Sequence, residues 1–285
     1  MSTTIDKATQ PTPFGREAHP LDGKRVINYD KGGHIAFIEM DDPPANTYTH
    51  EMMRQLDEAI LDARFDPDVE TIVLTGKGEK FFSAGANIGM LNQVTPEFKY
   101  MFCLHANETL QRLEQTPKLV IAAINGHCVG GGLEIAMACD LRLARKDAGK
   151  IGLPEVSLGV LPGTGGTQRL ARLVGKSRAI ELMTTGKTVS FEQALDWGML
   201  NDLFEGNAQE FREQIADYAK QFCSPNKAPM AVGHIKRSVQ TGAELPLQDA
   251  LALERELQSL LFKSEDAKEG LAAYNEKRVA RFKNK

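Results

Sequence analysis

Hydrophobic and polar positions change period several times along the chain, and each change predicts an element. Arg25-Val-Ile-Asn-Tyr and His34-Ile-Ala-Phe-Ile-Glu-Met read as strands, and Asp30-Lys-Gly-Gly between them supplies the glycines of a hairpin turn. After the break at Asp41-Asp-Pro-Pro the period lengthens: Met52, Leu56, Ala59, Ile60 and Ala63 share one face of a helix starting near Thr49. Glu70-Thr-Ile-Val-Leu-Thr, ended by Gly76, predicts a buried strand. Phe81 to Ala86 is a short apolar segment and Leu91 to Thr95 a polar loop. Thr95-Pro96 then reads as N-cap and first residue of a helix that runs to about Gln115 and is stopped by Pro117. Leu119 to Ile124 is uniformly apolar and short enough for a buried strand. A turn at Asn125-Gly126 and the triplet Gly130-Gly131-Gly132 lead into a short helix over 134–139 and a strand over 141–144. Short αβ units that keep returning to buried strands predict a layered α/β core.

From about Ser177 the pattern is helical and holds no convincing strand. The expected helices are 177–185, closed by Gly186, and 191–197, closed by Gly198, then 208–222, 227–240, 247–262 and 265–280. Leu251, Leu253, Leu257, Leu260, Leu261 and Phe262 nearly encircle their helix, which predicts burial or pairing with another subunit. The organisation is therefore read as a loose polar tail over 1–22, an α/β core over 23–205, and a helical oligomerisation region over 206–285.

Composition narrows the class. The 285 residues are 42% hydrophobic and 25% charged, ordinary for a globular chain and unlike a disordered or fibrous one. A net charge of −4 argues against nucleic-acid binding, and the five basic residues between Lys277 and Lys285 have a single aromatic, Phe282, among them. The longest charge-free stretch, Leu119 to Leu133, is broken by Asn125 and the glycine triplet, so no membrane span is expected. Four cysteines without a CxxC pair and six scattered histidines without HExxH predict reduced thiols and no metal site. The tail has no apolar segment of the signal-peptide kind, and a cytoplasmic location is expected.

Three segments carry candidate chemistry. Phe82-Ser-Ala-Gly-Ala-Asn-Ile sets small residues directly after an apolar strand end. Asn125-Gly-His-Cys-Val-Gly-Gly-Gly-Leu-Glu-Ile-Ala-Met-Ala-Cys-Asp opens a helix with glycines, whose bare N–H groups suit a phosphate or a developing oxyanion. Glu134 in that apolar run is either an exposed residue favouring the helix start or a buried carboxylate with work to do. Leu153-Pro-Glu-Val-Ser-Leu-Gly-Val-Leu-Pro-Gly-Thr-Gly-Gly-Thr-Gln-Arg-Leu adds Glu155, either a surface-turn residue or the second half of an acid/base pair. Its Gly163-Thr-Gly-Gly-Thr lacks the lysine of a phosphate-binding loop, and Gln168 stands where GxGxxG needs glycine.

Together these segments resemble the crotonase superfamily, most closely its enoyl-CoA hydratases. The resemblance runs from about residue 24 to the C-terminus and includes Leu261-Phe-Lys-Ser-Glu-Asp-Ala-Lys-Glu-Gly-Leu-Ala-Ala-Tyr-Asn-Glu-Lys-Arg. It implies a spiral of ββα units, a helical trimerisation region, a homotrimer or dimer of trimers, and a coenzyme A thioester substrate. No cofactor is implied beyond the coenzyme A of the substrate itself. By motif position, Ala86 and Gly131 would give the two oxyanion-hole N–H groups, and Glu134 and Glu155 match the two catalytic glutamates. Ala84, Ala86, Asn87, Ile88 and Gly131 would line the path of the thioester and its coenzyme A. Lys277 would reach the nucleotide end, in the same or a neighbouring subunit, unless it is simply a solvated helix lysine. Two departures stand out: Asn87 where many relatives carry Asp, and one extra residue between the glutamates, before Gly152. Double-bond isomerases of the superfamily usually lack the first glutamate, so the pair here implies reversible syn addition of water to a trans-2-enoyl-CoA.

Overall fold

The computed structural model describes residues 23–285, so the tail expected over 1–22 lies outside the described residues. The chain lays down strands in pairs and follows each pair with helix. β1 (Ile27–Gly32) and β2 (Ile35–Met40) precede α1 (His50–Phe65). β3 (Thr71–Gly76) and β4 (Phe81–Ser83) precede α2 (Ile88–Leu91) and α3 (Pro96–Gln115), and β5 (Leu119–Ile124) and β6 (His127–Val129) precede α4 (Gly131–Met137). β7 (Leu141–Arg145) and β8 (Lys150–Gly152) lead through a 3-10 turn (Glu155–Leu158) into α5 (Gly166–Val174) and α6 (Lys176–Thr185). After β9 (Thr188–Ser190), α7 (Phe191–Asp196) and β10 (Asp202–Phe204) come α8 (Ala208–Lys220), α9 (Pro229–Gly242), α10 (Leu247–Leu261) and α11 (Glu265–Glu276).

The pairs split between two sheets. A six-stranded sheet runs β1-β2-β3-β5-β7-β10, antiparallel only at the β1–β2 hairpin. A four-stranded sheet runs β4-β6-β8-β9, antiparallel only at β8–β9. From the second pair to the fourth, the first strand enters the large sheet and the second enters the small one. This is the spiral of ββα units expected for the fold.

Strand periodicity divides the core. Ile38, Ile72, Leu74, Val120 and Ala122 join the main cluster with the small sheet and α1, α3 and α4. Ile35, Val73, Ile121 and Leu143 alternate with them and point the other way, onto Phe211, Ile215 and Ala219 of α8. The central strands are therefore apolar on both faces, which explains their continuous hydrophobic runs. The predicted helix start at Thr95 is as expected: its side chain accepts from Phe98 N at 3.2 Å and Pro96 follows.

Two expectations need correction. Strands do occur beyond Ser177: β9 closes the small sheet and β10 adds the last parallel strand of the large one. Each has three residues, too few to display a period of two. The helix expected over 265–280 stops at Glu276, because Lys277 is left-handed (φ 54°) and the chain folds back along α11. There the buried Asp266 carboxylate accepts from Lys283 N at 2.7 Å and Asn284 N at 2.8 Å. Arg278 of the basic terminal cluster is engaged by Glu269 and Glu276.

One buried charge fastens α9 to the core. Lys236 Nζ reaches Asp140 Oδ2 at 2.8 Å and donates to the carbonyls of Leu113 at 3.2 Å and Lys118 at 3.0 Å. Asp140 in turn accepts from Val120 N at 2.7 Å. Lys236→Met leaves this carboxylate without its cation and is expected to cost about 3–5 kcal/mol. Urea unfolding of both proteins checks it, and a variant as stable as the parent would contradict the assignment.

Candidate active site

The site forms where the second strands of the pairs end. After β4, Ala84 N donates to Ala45 O at 2.9 Å, and an isolated parallel bridge joins Ala86 to Tyr48. In that bridge Tyr48 N donates to Gly85 O at 2.9 Å and Asn87 N donates to Tyr48 O at 3.0 Å. The Ala86 N–H, lying between, has no acceptor among the described residues. Asn87 caps α2, accepting from Met90 N at 2.9 Å and donating to Thr47 Oγ1 at 3.1 Å, and Ile88 beside it is exposed.

The glycine triplet follows β6. Gly130 takes φ 56° and ψ −136°, a conformation strained for any residue with a Cβ, and a Cβ there would also lie 3.1 Å from Glu155 Oε1. Gly131 begins α4, and its N–H has no acceptor among the described residues. A Cβ on Gly85 would lie 2.8 Å from Gly131 N, so the first two segments meet backbone to backbone.

The two carboxylates stand in different surroundings. Glu134 is buried, and its Oε1 accepts from the backbone N–H groups of Thr164 and Gly166, both at 2.7 Å. The loop that supplies them is held in turn: Arg169 donates to Thr164 O at 3.1 Å and grips Glu114 through two bonds of 2.7 and 2.8 Å. Burial raises the Glu134 carboxyl, opposed by the Gly166 and Thr164 hydrogen bonds and the charge of Arg169. Glu155 is half-buried at the start of the 3-10 turn, and its Oε2 is shielded with no hydrogen-bond partner among the described residues. Burial pushes its carboxyl up to about 7; its own backbone N–H opposes the rise and the nearby charge of Glu134 adds to it. The exposed-helix alternative for Glu134 thus falls away, as does the open surface turn for Glu155. A pair of carboxyls, one well hydrogen-bonded and one not, beside two uncommitted backbone N–H groups is equipped for proton transfer next to a developing oxyanion.

The chain matches the description "Enoyl-CoA hydratase/isomerase" over residues 30–285. The chain belongs to the enoyl-CoA hydratase/isomerase family. A short-chain-enoyl-CoA hydratase of Clostridium acetobutylicum is 37% identical over 258 residues, spanning 90% of this chain and 97% of that protein. The crystal structure described as "Enoyl-CoA hydrates from Geobacillus Kaustophilus HTA426" superposes with a TM-score of 0.88 at 48% identity, covering 92% of this chain and 98% of the other. An enoyl-CoA hydratase from Bacillus anthracis superposes with a TM-score of 0.86 at 31% identity, covering 92% and 100%. The crotonase-type fold and superfamily inferred from the motifs are thereby established.

Of the residues singled out from the sequence, Ala84, Ala86, Asn87, Gly131, Glu134 and Glu155 come together here, with Ile88 at the rim. Lys277 does not join them: it is the exposed C-cap of α11, bonded through its backbone to Ala273 and Tyr274. Sequence reasoning missed Tyr48, Thr164 and Gly166. The last two stand inside a quoted glycine-rich segment, which was read for nucleotide binding and not for carboxylate binding.

The raised Glu155 carboxyl has a stability signature. Between 4.5, its ordinary value, and about 7 the unfolded chain releases the proton that the folded chain keeps. Stability therefore falls as pH rises across that window. Glu155→Gln removes this loss, so the variant is expected to gain stability over the parent from the acid to the neutral end of the window. Urea unfolding at each pH measures the difference, and a constant difference would contradict the raised value.

Proposed function

We propose that this enzyme catalyses the reversible syn addition of water to a trans-2-enoyl-CoA, giving a 3-hydroxyacyl-CoA. The observation that carries the reading is the convergence of Glu134 and Glu155 beside the Gly131 N–H. The thioester carbonyl accepts from the N–H groups of Ala86 and Gly131. Negative charge grows on that oxygen as water adds at the β-carbon, so donors fixed there favour the transition state over the ground state. Each such donor contributes roughly 100- to 1,000-fold.

The water lies between the carboxylates. Glu134, held by the Thr164 and Gly166 amides, takes its proton as the oxygen bonds to the β-carbon. Glu155, raised by burial, delivers a proton to the α-carbon from the same face, which gives syn addition. Ala84 to Ile88 line the coenzyme A path, and Lys277 meets its nucleotide end in an assembled oligomer. No cofactor other than the coenzyme A of the substrate takes part. Relatives named for short-chain and crotonyl-CoA substrates support crotonyl-CoA as the first to try.

Further support concerns the setting. Ile235, Val239, Leu247, Leu251, Leu260 and Phe262 leave α9 and α10 with exposed apolar surface, which suits a homotrimer or dimer of trimers. Among the described residues no helix is long and apolar enough to cross a membrane. All four cysteines are unpaired, as a reducing compartment such as the cytoplasm requires. Light scattering is expected to give three or six times the 31.3 kDa chain mass. A monomer would overturn the assembly.

Loss of enoyl-thioester absorbance with crotonyl-CoA and longer trans-2-enoyl-CoAs tests the reaction. Glu134→Gln and Glu155→Gln are each expected to slow it by roughly 100- to 10,000-fold. For the parent, kcat/KM for hydration should fall as pH rises through about 7, where Glu155 loses the proton it must donate. Parent protein that leaves every trans-2-enoyl-CoA unchanged but isomerises 3-enoyl-CoAs would replace the hydratase reading with the isomerase one.

A further inference from the structure

Tyr48 lies outside every sequence motif of the site, yet the fold runs three parts of the machinery through it. Its backbone is the bridge that holds Ala86, through Gly85 O and Asn87 N. Its ring lies against the second donor segment: a Cβ on Gly131 would collide with Cε1, Cζ and the hydroxyl oxygen of Tyr48. Its hydroxyl meets Thr164 Oγ1 at 3.1 Å, and the Thr164 amide holds Glu134 at 2.7 Å. The side chain is buried, with Phe102 packed against it at a centroid distance of 5.8 Å.

The contact joins two neutral hydroxyls in a buried setting. The phenol is pushed far above its ordinary value by burial and by the charge of Glu134, so it stays neutral. It has one proton to give, and Thr164 Oγ1 is the acceptor in reach. Thr164 reaches the carboxylate through its backbone, its N–H donating to Glu134 Oε1 at 2.7 Å. The Tyr48 contact therefore fixes the side chain of the residue whose amide holds Glu134.

We propose that Tyr48 is a positioning residue: its hydroxyl orients Thr164 toward the Glu134 carboxylate while its ring sets the depth of the Gly131 N–H. The proposal rests on the hydratase reading for its kinetic consequence, but its effect on Glu134 needs no turnover. Tyr48→Phe keeps the ring and removes the hydroxyl. Thr164→Val keeps the shape and the backbone N–H and removes the hydroxyl that Tyr48 meets. Both carry little risk to the fold, and thermal unfolding checks this.

The experiment measures crotonyl-CoA hydration against pH for the full-length parent, both single variants and the double variant. Each single variant is expected to lose about tenfold in kcat with KM within about twofold, the loss of the one hydrogen bond that fixes Thr164. The acid limb of kcat/KM, where Glu134 must be ionised, should move to higher pH, because a carboxylate whose Thr164 amide donor is less firmly held binds its proton more tightly. The double variant should be no slower than either single one, since the two hydroxyls act as one unit. Isotope-edited infrared titration of the Glu134 carboxyl should show the same upward shift in Tyr48→Phe without substrate. An unshifted carboxyl, or losses that multiply in the double variant, would overturn the positioning role. Parent protein inactive on every enoyl-CoA would overturn the hydratase reading instead, and the infrared titration would still decide the role of Tyr48.

Discussion

Keeping a carboxyl group hydrogen-bonded inside an apolar core is the constraint from which the rest of the site follows. Glu134 sits between Leu133 and Ile135, both fully buried, and water cannot solvate it freely there. Two backbone N–H groups from the loop before α5 take the place of water. That loop must then be rigid, and the Arg169–Glu114 pair ties it to the end of α3. The pairing of strands across two sheets serves the same end: it brings β4, β6 and β8 to a common seam where the residues that follow each strand can meet. A shift of the segment from Thr164 to Gly166 would leave the carboxylate unsatisfied, so packing and chemistry are stabilised together there.

The second carboxylate shows the opposite treatment. Glu155 lies close enough to Gly130 to need glycine there, yet nothing donates to its shielded oxygen among the described residues. Two residues of one chemical type are thus set apart by what surrounds them: burial raises both, but backbone hydrogen bonds from Thr164 and Gly166 and the charge of Arg169 oppose the rise at Glu134, while only its own backbone N–H opposes it at Glu155. The division of labour in the proposed reaction needs no difference in residue identity, only this difference in hydrogen bonding.

How much of this was legible in the sequence depended on the distance over which each contact is made. The hairpin at Gly33, the helix cap at Thr95 and the strand Leu119 to Ile124 are local patterns and were read directly. The three-residue strands β6, β8, β9 and β10 were not, because their pairing is written in their neighbours and not in their own residues. Glu134 and Glu155 stood out as carboxylates beside glycine-rich backbone, but whether they were buried could not be read from 21 positions of separation; resemblance supplied that step. Tyr48 gave no signal at all. It follows a proline-rich break, and its hydroxyl partner is 116 residues further on.

The position of Glu155 near neutrality has a consequence for direction of flux. A catalyst leaves the equilibrium constant untouched, so the microscopic route for adding water must also be the route for removing it. In the proposed reaction hydration starts with Glu134 ionised and Glu155 protonated, and dehydration starts with the two states exchanged. A carboxyl at about 7 keeps both populations comparable at neutral pH. Each hydration thus leaves the pair as dehydration needs it, and repeating the same direction requires a proton to return from Glu134 to Glu155.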